Sequence, residues 1–176
     1  MEIIEKANKS ISDFLSKYSP NTKVSCGIDF QYDISDDIVR WSFLSSEALD
    51  RQEETFCEFF EQELKCRKIN SFVYSILHEF GHKMTINNFN EIQFDGYLSR
   101  VDEIEDMTFS KERDFLYYNL PIERAASEWA RDFIEAHFDE IQEWFQNTFM
   151  LIIDEICNNF DECMKYVLDE EELING

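Results

Sequence analysis

A chain of 176 residues is long enough for one domain with a hydrophobic core. Hydrophobic residues make up 44% of it and aromatic residues 15%, which excludes an intrinsically disordered chain. The formal net charge of −22 argues against direct binding to nucleic acid, because it repels phosphate, and it favours basic protein partners. Since the chain holds only 4 Gly and 2 Pro, we expect a mostly helical single domain over residues 1–176.

Cysteine usage and the N-terminus predict a cytoplasmic protein. The 5 cysteines form no Cys-x-x-Cys pair, which favours a reducing compartment in which thiols pack as small core residues. The first residues, Met1–Lys6, are acidic and amphipathic, unlike a signal peptide. No apolar run approaches the length that spans a bilayer. We therefore expect no membrane partner.

The first third of the chain predicts a helix followed by two strands. Apolar residues recur at helical spacing as far as Tyr18, and Pro20 ends this helix. Alternating apolar residues then predict strands over 24–32 and 38–45, joined by the turn-rich segment 33–37 into an antiparallel hairpin. The second strand could pair with an extended substrate, although pairing within the core explains its pattern equally well.

Two helices and a long polar connection are predicted next. Phe56–Leu64 has helical periodicity, with a start near Asp50 or Arg51. A second helix is predicted from Asn70, a plausible N-cap, to about Asn87. The polar, acidic residues 88–113 are predicted as a long connection with room for one short helix.

The last third of the chain is predicted to be helical. Pro121 opens a helix, because proline is favoured in the first turn. An acidic amphipathic helical region follows over about 139–168, and the tail 169–172 is expected to fray. We thus expect an α+β fold, mostly helical, with a small antiparallel sheet packed on the Asn70–Asn87 helix.

The stretch His78-Glu79-Phe80-Gly81-His82 carries the strongest chemical signal in the chain. On a helix, imidazoles four residues apart rise from the same face, so both can bind one tetrahedral metal ion. Glu79 then lies next to the open coordination position. Gly81 removes a side chain between the histidines, which would allow another backbone to approach this helix closely.

Two histidines leave a catalytic metal site one protein ligand short. Glu123 and Glu128, on the helix that Pro121 opens, are the candidates for the third ligand. A helical projection places Glu123 at the border of the buried face and Glu128 on the solvent side, which favours Glu123. Glu128, with Asp132 as a supporting carboxylate, remains the alternative. His137 on the apolar side is more typical of a core histidine, although it could serve as a spare ligand.

The sequence resembles zinc-dependent peptidases with His-Glu-x-x-His and a downstream Glu, of the gluzincin-like type. Among these it is similar to the small phage, prophage and mobile-element proteins related to ImmA/IrrE. The resemblance rests on Leu77–His82 and on Glu123–Ala130, where Glu123, Ala126 and the pair Trp129-Ala130 match the family pattern. Ser127 stands where the family has Asn or Asp, which predicts weaker support for a histidine.

The resemblance implies a minimal zincin-like domain and a zinc peptidase mechanism. His78, His82 and Glu123 would bind Zn²⁺, which lowers the pKa of a bound water. Glu79 would act as the general base. Donors that could stabilise the oxyanion are Tyr97, Tyr117, Tyr118 and His137. The implied function is hydrolysis of a specific intracellular regulatory protein.

The acidic charge supports an alternative function. On a zincin scaffold, an acidic surface could occupy the basic groove of a nucleic-acid-binding protein, as DNA mimics that inhibit host defence do, including anti-CRISPR-like inhibitors. A catalytically inactive zincin is a third possibility. The expected partners are therefore a protein substrate or a basic nucleic-acid-binding protein.

Overall fold

The structure is a computed structural model that describes residues 1–43 and 54–175. These residues fall into two compact units. The first unit combines the chain through residue 43 with the segment from His137 onward, and the second contains residues 54–136. The prediction of a mostly helical α+β fold with a small sheet is confirmed, but the sheet is mixed rather than antiparallel. Its packing on the Asn70–Asn87 helix stays a prediction.

The first unit is built around helix α1, Glu2–Leu15. Its buried side chains lie three or four residues apart and form one apolar stripe, namely Ile4, Ala7, Ile11, Phe14 and Leu15. The predicted helix that ends before Pro20 is confirmed. Strand β1 and helix α7 (Met150–Asn158) contact α1.

The sheet of the first unit is mixed. Its strands are β1 (Lys23–Cys26), β2 (Gln31–Asp33) and β3 (Ile38–Trp41), in the order β1-β3-β2. The predicted hairpin is confirmed for β2 and β3, which pair antiparallel, but β1 pairs parallel with β3. The single strand predicted over 24–32 is wrong, because the chain leaves the sheet after Cys26 and re-enters it at β2.

The central position of β3 corrects one functional expectation. Because β1 and β2 occupy both edges of β3, this strand has no edge with which to pair a substrate. The explanation by pairing within the core is therefore the correct one. Residues 44 and 45 of the predicted strand lie outside the described residues.

The C-terminal region is a succession of helices. Helix α6 (Pro121–Trp144) opens at the predicted proline and leaves helical geometry locally at His137, where φ is −124° and ψ is 22°. A π-helical segment, α7 and α8 (Phe160–Asn175) follow. The predicted C-terminal helical region is confirmed, but the tail 169–172 is helical rather than frayed. Neither these helices nor any other helix among the described residues is long and apolar enough to cross a membrane.

The second unit begins with α2, whose residues 54–58 are α-helical and pass into a π-helix at Phe59–Glu63. Its predicted start near Asp50 or Arg51 lies outside the described residues. Helix α3 follows at Ser71–Thr85, and the Asn70 side chain accepts a hydrogen bond from the Phe72 amide as its N-cap. The predicted helix and its cap are therefore confirmed.

The long connection predicted over 88–113 is wrong, because it folds into helices α4 (Glu91–Glu105) and α5 (Lys111–Tyr118). Of the side chains on α4, only Ile104 is buried, so the apolar stripe that reveals a helix is missing. The sequence signals that do indicate these two helices are their N-terminal capping residues. Asn90 and Gln93 form a capping box at α4, and Ser110 caps α5.

Helices α3 and α6 approach each other closely at Gly81. A Cβ atom at this position would lie 2.4 Å from the carbonyl oxygen of Ala126, far inside van der Waals contact. The prediction that Gly81 admits another backbone is confirmed. α3 is consequently covered on more than one side, with Val73, Ile76 and Phe80 buried as well as His78.

Replacing Gly81 by Ala should lower the free energy of unfolding by about 1–3 kcal/mol, because the new methyl group forces two backbones apart. This loss should appear although Ala is the better helix former by about 1 kcal/mol. Gly96→Ala is the matched control, since no atom lies within 4 Å of the Cβ position there. In urea unfolding we expect this control to be stabilised by about 0.5–1 kcal/mol. Equal stability of the two variants would contradict the close approach.

Candidate metal centre

Helix α3 brings the two histidines of the motif together by its own geometry. Residues four apart lie one turn above each other, and the rings of His78 and His82 stand 4.6 Å apart between centroids at an angle of 82°. Their Nε2 atoms are 3.1 Å apart. The two Nε2 atoms therefore face one small region beside the helix.

Helix α6 supplies a carboxylate to the same region. Glu123, in the first turn of α6, is only 2% exposed. Its Oε2 atom lies 3.1 Å from Nε2 of His78 and 3.3 Å from Nε2 of His82. The structure thus brings together the three side chains that the sequence analysis favoured as ligands.

The spacing of these three atoms suits a small tetrahedral ion. With metal–ligand distances of about 2.0–2.1 Å, tetrahedral angles place ligand atoms about 3.3 Å apart. The observed separations are 3.1, 3.1 and 3.3 Å. The group is buried in the protein and could hold a metal ion.

Ser127 orients His78 from the opposite side of the ring. Its fully buried hydroxyl lies 2.9 Å from Nδ1 of His78. When Nδ1–H donates to this hydroxyl, the lone pair of Nε2 is left for a metal. The Phe56 ring also packs edge-to-face with the imidazole, at 5.2 Å between centroids. Serine therefore supplies a direct contact to a histidine, where the departure from the family pattern had predicted weaker support.

Tyr97 holds the second oxygen of Glu123. Its hydroxyl donates to Oε1 over 2.5 Å. Tyr117 interacts with both Tyr97 and Glu123, since each of them raises its pKa. Burial, followed by the negative charge of Glu123, raises the pKa of both phenols, which keeps them protonated as donors.

The electrostatics of these three side chains favour a cation. Burial alone would raise the pKa of Glu123, but hydrogen bonds from His78 and His82 outweigh it and lower that pKa. Burial alone would lower the pKa of His82, but the hydrogen bond and charge of Glu123 raise it. The carboxylate is therefore ionised, and its buried negative charge favours the binding of a cation.

Glu79, the predicted general base, acts on this same region. Its side chain is half-buried, and its negative charge raises the pKa of His82, Tyr97 and Tyr117. Glu79 therefore influences the charge of the region that holds the three expected ligands, and its role as the general base stays a prediction.

Glu128 and Asp132 are not brought to the centre. The Glu128 side chain is 44% exposed and pairs with Arg124 at 2.8 Å. Asp132 is 71% exposed and pairs with Arg131 at 2.6 Å. Both carboxylates lie on the solvent side of α6, where the helical projection placed Glu128.

Two other predicted donors have different surroundings. His137 lies in the first unit, where its ring packs on Tyr18 at 4.7 Å between centroids. Tyr118 is 8% exposed, and its ring packs against Phe56 and Phe59. Both residues therefore have packing roles in the structure.

The bond from Tyr97 to Glu123 was missed by sequence reasoning, which treated Tyr97 only as an oxyanion donor. Tyr97 lies on α4, in the segment predicted as a connection. The capping box at Asn90 and Gln93 was the signal that could have placed it on a helix.

Comparisons with known proteins add no relative, since no protein-family model, no curated protein and no solved structure matches this chain. The resemblance to the ImmA/IrrE-type proteins stays a prediction that rests on the residues of the two motifs.

The purified protein should contain about one equivalent of zinc, because one set of three ligands is present. His78→Ala and Glu123→Ala should lose the metal, since two remaining ligands bind it weakly. Glu128→Ala should keep it, because this exposed carboxylate faces solvent. Elemental analysis after gel filtration measures the content. Loss of zinc in the Glu128 variant but not in the Glu123 variant would reverse the assignment.

Ser127→Ala should weaken zinc binding about 10- to 100-fold, because His78 loses the group that orients its ring. Competition with a chromogenic chelator measures the dissociation constant. Ser99→Ala, at an exposed serine of α4, is the control and should bind zinc like the unmutated protein. Unchanged affinity in Ser127→Ala would show that the hydroxyl does not support the metal site.

Proposed function

We propose that this protein is a zinc-dependent peptidase of the phage and mobile-element type, which cleaves a specific regulatory protein in the cytoplasm. The observation that carries the proposal is the convergence of three buried donor atoms, His78 Nε2, His82 Nε2 and Glu123 Oε2, at separations of 3.1–3.3 Å. A charged glutamate in the same region, Glu79, supplies the base that hydrolysis needs.

The donor set favours zinc among the common metal ions. Two imidazole nitrogens and one carboxylate oxygen suit Zn²⁺, whereas Mg²⁺ and Ca²⁺ prefer sites made of oxygen ligands. A site with three protein ligands is the arrangement of catalytic zinc, since a fourth position stays open for water or substrate.

The proposed chemistry divides between the metal and the chain. Zn²⁺ bound by His78, His82 and Glu123 would supply Lewis acidity that activates water and polarises the scissile carbonyl. Glu79 takes the proton of the attacking water and later delivers it to the leaving amine. Ser127 keeps the His78 ring in its orientation through the contact at Nδ1.

Glu79→Gln should reduce peptide hydrolysis at least about a hundredfold while zinc content stays unchanged, because the amide cannot accept the proton. The measurement is mass spectrometry of a peptide library and of lysate proteins after incubation with the zinc-loaded protein. Glu128→Gln, which changes an exposed glutamate on α6, is the matched control.

Cleavage that is equal in the Glu79 and Glu128 variants would refute the role of Glu79. Absence of cleavage by the unmutated, zinc-loaded protein across these substrates would count against the peptidase.

The distribution of charge supports a second candidate, an acidic inhibitor of a basic nucleic-acid-binding protein. Seven described acidic side chains on α7 and α8 are exposed, against one lysine, Lys165; the acids are Asp154, Glu155, Asp161, Glu162, Asp169, Glu170 and Glu172. Such a surface attracts basic grooves through long-range electrostatics.

The same Glu79→Gln variant separates the two candidates, because inhibition by binding does not need a general base. An inhibitor would retain its full effect on a nucleic-acid-binding target in this variant and lose it at high salt. A peptidase would lose its effect in the variant.

A further inference from the structure

We infer that Tyr97 is a positioning residue of the metal centre, which restricts Glu123 to binding the metal through a single oxygen. This inference rests on the proposed metal centre. It concerns Oε1 of Glu123, the oxygen that does not face the histidines.

The two oxygens of Glu123 have separate partners. Oε2 faces His78 and His82, at 3.1 and 3.3 Å from their Nε2 atoms. Oε1 accepts the hydroxyl of Tyr97 at 2.5 Å. An ionised carboxylate can only accept hydrogen bonds, so the phenol is the donor and its proton is committed to Glu123. Turning Oε1 toward a metal would break this bond.

Tyr117 belongs to the same surroundings. Burial, then the charge of Glu123 and the interaction with Tyr97, raise the pKa of the Tyr117 phenol, so it stays protonated near the carboxylate. We therefore expect Tyr117 to support the bond from Tyr97 to Glu123 more weakly than Tyr97 itself does.

Packing alone does not explain where Tyr97 lies. Its helix, α4, buries only Ile104, and the ring contact of Tyr97 on this helix is to the neighbouring Phe94. Its half-buried hydroxyl nevertheless reaches a carboxylate that is 2% exposed. The bond to Glu123 therefore links α4 to the metal centre. Because coupling works in both directions, a metal bound by Glu123 would stabilise the position of α4, and α4 in turn would stabilise the metal centre.

The test compares Tyr97→Phe and Tyr117→Phe with Tyr32→Phe. The control removes a similar bond elsewhere, from the Tyr32 hydroxyl to Asp37 at 2.9 Å in the first unit. Each purified full-length protein is stripped of metal. Zinc affinity is then measured by chelator competition, and the visible absorption of the Co²⁺-substituted protein is recorded.

We expect Tyr97→Phe to weaken zinc binding about tenfold, Tyr117→Phe to weaken it less, and Tyr32→Phe to leave it unchanged. The Co²⁺ absorption should also weaken in Tyr97→Phe, because a carboxylate that binds through both oxygens raises the coordination number above four. A residue that only stabilises the fold would not change this spectrum. If Tyr97→Phe does not fold, Tyr117→Phe must show the smaller loss of affinity.

Two outcomes would overturn the inference, and they are distinguishable. If the unmutated protein binds zinc and the Tyr97 and Tyr117 variants bind it equally well with an unchanged Co²⁺ spectrum, the positioning role is wrong and the metal centre stands. If the unmutated protein binds neither Zn²⁺ nor Co²⁺, the proposed metal centre and the role of Tyr97 both fail.

Discussion

The contact on which the site depends is the close approach of α3 and α6 at Gly81 and Ala126. Helix axes in proteins are commonly 8–10 Å apart, and small residues at the crossing bring them to the near end of that range. α3 carries the two histidines one turn apart, and α6 carries Glu123 and Ser127 one turn apart. Because the glycine has no side chain, Glu123 reaches both histidines and Ser127 reaches His78. A bulkier residue at the crossing would separate them.

Burying three polar side chains at this crossing requires compensation. A buried carboxylate is unfavourable unless it is paired and hydrogen-bonded. Both oxygens of Glu123 meet this condition, one through Tyr97 and the other through the histidines. The acidic composition of the chain does not indicate that Glu123 is buried. Of 38 Asp and Glu in the chain, only Asp114 and Glu123 are buried among the described residues.

The parts of the fold that the sequence predicted are those with a strong local period or cap. α1 and the first turns of α6 have apolar residues at helical spacing, and α3 has its cap at Asn70. The sequence analysis missed α4 and α5 because exposed helices need no apolar stripe. Only their capping residues indicate that these segments are helical. The parallel pairing of β1 was missed because alternation shows which face a residue occupies but not which strand lies beside it.

The same distinction between local and tertiary information applies to the metal site. The sequence by itself determined that His78 and His82 share one face of a helix, because a spacing of four residues is local geometry. The helical projection of the sequence also placed Glu123 at the border of the buried face. The tertiary structure alone decided that the carboxylate meets both histidines, and that Tyr97 from a third helix holds its other oxygen. A projection gives the direction of a side chain, whereas its distance from a group on another helix depends on how the two backbones cross.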